Sequence, residues 1–295
     1  MTKRNWALIA ATLVSIIYGI TFTIAKDVMP KYVAPFGFIA MRVGGSVVLF
    51  WLVSFIGPKE KIALNAFPRI AAAAFFGVAL NMLTFFKGLS YTSPIMGAVL
   101  MVTTPMIVLI LSAIIMKERM QKRKMFGILL GLAGTMLLIL YGADLKIAPK
   151  ASLGNLLVFI NAISYGFYLI IVKKLMDKYN AFTFVKWIYT FGFLMVLPFG
   201  WEEFQVINWT IIPTDIYWKI GFVVVFSTFF TYLLNLLSMR ELKPTTVAVF
   251  IYLQPLFATV FAVSLGKDQL SLIKLFSAVL IFVGVYLVTQ KKSAP

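Results

Sequence analysis

The chain has 295 residues, 61% of them apolar, with a mean hydropathy of +0.96 and a formal net charge of +17. One soluble core of this size cannot bury that much apolar surface, whereas lipid can surround it. With no Cys and no His, thiol nucleophiles, disulfides, Cys/His metal sites and imidazole acid–base chemistry are excluded.

Lys3 and Arg4 precede an apolar run over 6–25 that is long enough to cross a bilayer. No A-x-A-like cleavage site follows it, so it reads as a retained first helix rather than a signal peptide. Further spans are predicted over 35–56, 68–88, 94–116, 124–141, 153–172, 181–199, 217–238, 244–265 and 271–289. The seventh is shorter than most and carries a charge, Lys186, near its start. With both termini inside, 18 Lys and Arg fall on inner positions and 8 on outer ones, Arg42 being uncounted within a span. The excess places both termini in the cytoplasm, with the chain multi-pass in the cell inner membrane. The same pattern accounts for the net charge, so no nucleic-acid partner is expected.

The segment from Pro94 matches that from Pro244 at a constant offset of 150. Pro105 pairs with Pro255, Lys117-Glu118 with Lys267-Asp268, Lys124 with Lys274, and Gly134 with Gly284. At an offset of 147, Tyr18-Gly19 pairs with Tyr165-Gly166 and Lys26 with Lys173. The fold class is therefore an all-α membrane protein of ten transmembrane helices, an inverted repeat of five plus five. The repeats divide at 1–145 and 146–295. Five is odd, so the halves must oppose each other about an axis in the membrane plane, a design known in transporters.

These motifs resemble the EamA family of the drug/metabolite transporter superfamily, one EamA domain per half. The residues that carry the likeness are Tyr18-Gly19, Pro35 with Arg42, the run from Gly88 to Pro94, Pro105, Glu118, Gly127 with Gly134, and in the second half Pro244, Gln254-Pro255, Asp268 and Gly284. The resemblance implies ten helices, cytoplasmic termini and a central cavity for metabolite export or uptake. One departure is Lys117-Glu118 and Lys267-Asp268 where many members have Gly-Glu, which implies a differently built turn. The fifth and tenth helices, by the same resemblance, are peripheral supports.

Four helices carry polar or small stripes. They are Ser15, Tyr18 and Gly19 in the first; Gly77, Asn81, Thr84 and Gly88 in the third; Asn161, Ser164, Tyr165 and Tyr168 in the sixth; and Thr228, Thr231, Tyr232 and Asn235 in the eighth. Helical spacing puts each set on one face. Polar groups at membrane depth meet other helices or a water-filled cavity. Mid-span Pro105 and Pro255 each remove a hydrogen bond, freeing the carbonyls of Met101 and Ile251 beside Thr103, Thr104, Tyr252 and Gln254. They are candidate hinges. The expected substrate-binding residues are Ser15, Tyr18, Asn81, Thr84, Lys87, Thr104, Asn161, Tyr165, Tyr168, Thr228, Thr231, Tyr232, Asn235, Tyr252 and Gln254.

No Asp or Glu falls inside a span, which disfavours a buried acidic proton relay. Glu118 and Asp268 are placed at helix starts, where the dipole favours them. Lys87, with Arg42, is a candidate counter-charge for an anionic or zwitterionic solute, against a snorkelling reading of Lys87. The stripe Gly127, Gly131 and Gly134 reads as close helix packing, with dimerisation as the second reading. The partners expected are a small-molecule substrate and the lipid bilayer, for a monomer or a homodimer. No cofactor or metal is expected, and no phosphate-binding loop ties the chain to ATP. The function read from this is export of an amino acid or related solute by alternating access. The competing readings are a non-transporting receptor or scaffold and an intramembrane enzyme, the last lacking a nucleophile–base pair.

Overall fold

The computed structural model describes residues 2–58, 60–92, 94–141, 150–266 and 269–290, without the side chains of Phe22, Thr23, Lys26, Pro94 and Ile95. The expected boundary at 145/146 and the charges of Lys59, Lys146, Lys267, Asp268, Lys291 and Lys292 lie outside the described residues.

Among the described residues, ten helices are long and apolar enough to cross a membrane. They are α1 (Lys3–Val28), α2 (Pro35–Ser54), α3 (Leu64–Tyr91), α4 (Met96–Ile115), α5 (Lys122–Leu140), α6 (Ala151–Met176), α7 (Ala181–Gln205), α8 (Thr214–Glu241), α9 (Pro244–Ser264) and α10 (Leu272–Thr289). Several run past the apolar windows read from sequence, α7 by six residues at its end. A hydropathy window stops where charge begins, but helical hydrogen bonding continues until a cap ends it. The starts are written in the sequence. Thr2, Asn180 and Ser271 accept backbone N–H groups as N-caps of α1, α7 and α10. Pro35 and Pro244 occupy the first turns of α2 and α9, where a missing N–H costs nothing.

The packing obeys the repeat. α1 lies against α8 and α9, and its counterpart α6 lies against α3 and α4. The first helix of each half is thus inserted into the other half. Two further pairs of counterparts pack directly, α2 on α7 and α5 on α10. The chain ends meet at one end of the bundle, called here the terminal end. There Arg4 donates to the Thr289 carbonyl, and Arg123 Nη1 lies 2.9 Å from Gln290 Oε1.

The α5–α10 pair explains the glycine stripe. A Cβ on Gly284 would lie 2.6 Å from the backbone oxygen of Gly127 and the backbone nitrogen of Gly131, so the two backbones touch. Gly131 is also covered by the ring of Tyr252. The stripe therefore faces α10 and α9 of its own chain.

The α4–α5 turn departs from one expectation. Lys117 adopts a left-handed backbone, φ 53°. The turn thus has the backbone form that glycine takes easily, with lysine in its place. Glu118 is not at a helix start. It lies in the turn before α5, its N–H 3.2 Å from the Ser112 carbonyl. Its carboxylate is held by lysines rather than by a helix dipole.

Candidate functional site

α4 and α9 are broken at matching places. α4 interrupts its helix after Met101 and resumes at Thr104. α9 passes from Pro244–Val249 through one 3₁₀ turn, Phe250–Tyr252, to Leu253–Ser264. Pro105 and Pro255 sit just after the breaks, as their missing N–H groups require. In α4 the Thr104 hydroxyl takes the Met101 carbonyl at 2.6 Å. In α9 the carbonyl that gains an outside donor is that of Phe250, one residue before the position expected. Ser15 of α1 reaches it at 2.9 Å.

A second irregularity was not visible in the sequence. α3 widens to π geometry over Phe75–Ala79, and α8 over Val223–Phe230. The repeat offset of 150 carries the first run into the second. A π turn loosens its own carbonyls and is common at functional positions. Here those carbonyls are taken by the opposite half. Ser164 donates to Phe76 at 2.6 Å and Tyr232 to Gly77 at 3.1 Å. Ser46 donates to Val224 at 3.3 Å, and Arg42 Nη2 lies 3.5 Å from the Ser227 carbonyl. Gly77 lets the Tyr168 ring cross the α3 backbone, since a Cβ there would sit 2.2 Å from a ring carbon.

A small cavity borders the α9 break. It is lined by Ala11, Val14, Ser15 and Tyr18 of α1, Tyr165 of α6, Asn235 of α8, and Val247, Phe250, Ile251 and Gln254 of α9. The space open to the centre of a water molecule is about 10 Å³, room for roughly one water. In this conformation the site has no room for a larger solute.

The structure brings five of the expected residues to this lining: Ser15, Tyr18, Tyr165, Asn235 and Gln254. Thr231 stands behind them, 3.3 Å from the Tyr18 hydroxyl. Tyr168 and Tyr232 form an aromatic layer beside the cavity, with ring centroids 5.9 Å from Tyr165 to Tyr168 and 6.1 Å from Tyr168 to Tyr232. Thr228 is buried and accepts from Arg42 Nε at 3.0 Å. The others are placed elsewhere. Asn81 and Asn161 staple α3 to α6, Asn161 Nδ2 donating to the Asn81 carbonyl at 2.7 Å. Thr84 bonds back to Leu80, and Thr104 serves its own helix break. Tyr252 packs on Gly131, away from the lining. Lys87 is exposed, its ammonium 5.1 Å from the Tyr91 ring and 5.6 Å from that of Phe36.

Two residues passed over in the sequence, Tyr189 and Glu203, also matter, as does Glu118 in a role other than the expected one. Tyr189 of α7 packs edge-on to Tyr232 at 5.1 Å. It is the offset-147 counterpart of Arg42, which is the signal that marks it. Glu203 at the end of α7 accepts the N–H groups of Phe36 and Gly37 at 2.6 and 2.9 Å, capping α2 from the other half. Glu118 contacts Lys124 at 2.9 Å, Lys243 at 3.2 Å and Thr245 at 3.4 Å, tying the α4–α5 turn to the start of α9. Burial pushes its carboxyl up, but the hydrogen bond from Lys124 and the charges of Lys124 and Lys243 outweigh this, and the net shift is downward. Among the described residues no cluster of acidic groups exists to hold a metal.

The profile of the EamA-like transporter family matches twice, over residues 5–140 and 152–290. The chain belongs to the EamA-like transporter family. Its two family units are the five-helix halves described above. An uncharacterized transporter, YyaM, of Bacillus subtilis is 26% identical over 92% of this chain and 89% of its own. An uncharacterized transporter of Archaeoglobus fulgidus is 24% identical over 98% and 100%. A protein of known crystal structure superposes with a TM-score of 0.79 over 97% of both chains at 15% identity, a likeness of fold.

Proposed function

We propose that this EamA-family chain is a secondary transporter that moves an amino acid or a related zwitterionic or anionic metabolite out of the cell by alternating access. The solute binds between α1, α6, α8 and α9, in the inner membrane, with both chain ends in the cytoplasm. The observation that carries this reading is the small cavity. Its polar groups, Ser15, Tyr18, Tyr165, Asn235 and Gln254, come from both halves and border the broken α9. Isolated polar groups would suit helix packing. Five converging from both halves on one small cavity suit a site that widens around a ligand.

The mechanism follows from the packing. Each half donates its first helix to the other and pins the other's π turn. Rocking one half against the other opens the cavity to one end while closing the opposite end. A space of one water must widen before any metabolite enters, so occupancy requires the motion. Reconstitution into proteoliposomes with a panel of labelled amino acids, organic acids and amines tests the reading. Saturable flux of at least one solute, lowered at least tenfold by Asn235→Leu, is expected. No flux with well-folded protein contradicts it.

A further inference from the structure

We propose that the Arg42 guanidinium, with the Ser227 hydroxyl, forms the anion subsite of the transport site, and that it takes a carboxylate of the solute. This rests on the transporter reading above. Arg42 lies in the middle of the bundle on α2 and is only 8% exposed. Its contacts are neutral: the Thr228 hydroxyl at 3.0 Å and the Ser227 carbonyl at 3.5 Å. Among the described residues, every ion pair involves Glu118 or the aspartates 27, 177 and 215, and none involves Arg42. A guanidinium carries five N–H donors, and two are used here.

The surroundings add no carboxylate, and one further donor is idle. The Ser227 hydroxyl, on the residue whose carbonyl faces Arg42, is 0% exposed and has no hydrogen-bond partner. The Ser227 carbonyl is already shared with the Thr231 hydroxyl at 2.7 Å, and Thr231 lies 3.3 Å from the Tyr18 hydroxyl on the cavity wall. A continuous polar line therefore runs from the cavity to Arg42.

A buried cation without a counter-charge is costly in a membrane, and an idle buried hydroxyl adds to that cost. One occupant relieves both: an acceptor-rich anion. A carboxylate fits the single guanidinium fork, one charge against one, where a phosphate dianion would exceed it. A cationic solute would worsen the imbalance. Lys87 does not share the task, since it is exposed and stacked on Phe36 and Tyr91.

The test compares solutes as well as variants. Full-length protein in proteoliposomes is assayed with each transported amino or organic acid, its methyl ester and its decarboxylated amine. Esterification is expected to weaken competition about ten- to a hundredfold in wild type, the scale of a hydrogen bond to a charged group. Arg42→Lys should keep a preference for the acid at lowered affinity, and Arg42→Gln should abolish the preference. If a variant fails to fold, the acid-to-ester comparison on wild type decides alone. Wild-type transport that ignores esterification, or a preference for amines, overturns the subsite and leaves the transporter reading standing. Absence of flux for every solute overturns both.

Discussion

Glu118 is the residue whose behaviour is most open to direct measurement. Its carboxylate bridges Lys124 in its own half and Lys243 in the other. Its pKa is held below the ordinary 4.5 by those lysines. A lowered folded-state pKa stabilises the protein above the unfolded value, and the contribution disappears as pH falls through the folded value. Thermal melts in detergent should therefore show wild type losing stability below about pH 4.5, while Glu118→Gln, weaker at pH 7 by about 1–3 kcal/mol, changes less over the same range. Parallel pH curves for the two proteins would exclude this role. Beside it, Lys117 holds a left-handed backbone. Lys117→Gly should raise stability by up to ~1 kcal/mol, read as a higher midpoint in the same melt. At this scale the sequence was partly legible. Polar residues at helical spacing on α1, α6 and α8 could be grouped by face. Which face met the cavity depended on how α1 inserts between α8 and α9, a tertiary fact. Asn81, Asn161 and Thr104 show the difference: their spacing is that of lining residues, yet their side chains satisfy neighbouring backbone.

Among the elements, the broken helices were legible because proline has a fixed chemical consequence. Pro105 and Pro255 marked the breaks to within a few residues. The π turns were not legible, since an inserted backbone residue changes the turn without a residue type that announces it. Gly77 was noticed only as one of a stripe. Its role is to admit the Tyr168 ring, so Gly77→Ala forces that ring or α6 to shift. The expected loss is about 1–3 kcal/mol, together with a fall in transport larger than that of an equally destabilised variant outside the core. A Gly77→Ala protein with wild-type melting and flux would contradict the packing described. At the α5–α10 seam the obstruction is backbone on both sides. Gly284→Ala should lower stability by a comparable amount, again checked by melting in detergent.

At the scale of the whole molecule, ten spans, the repeat and the family followed from hydropathy, charge and the paired motifs. The exchange of first helices between halves did not, because contacts between apolar helices leave no periodic trace. The membrane orientation is a prediction in its own right. The chain has no cysteine, so Thr2→Cys or Gln290→Cys gives a single label site. A membrane-impermeant maleimide applied to intact cells should label neither until the inner membrane is permeabilised, and labelling before permeabilisation would reverse the topology. The central claim is that one site between two rocking halves faces each side in turn. Counterflow tests it most directly. Proteoliposomes loaded with excess unlabelled solute and diluted into trace labelled solute should accumulate label transiently above equilibrium. Saturable entry with no transient overshoot, or none at all, would contradict alternating access at this site.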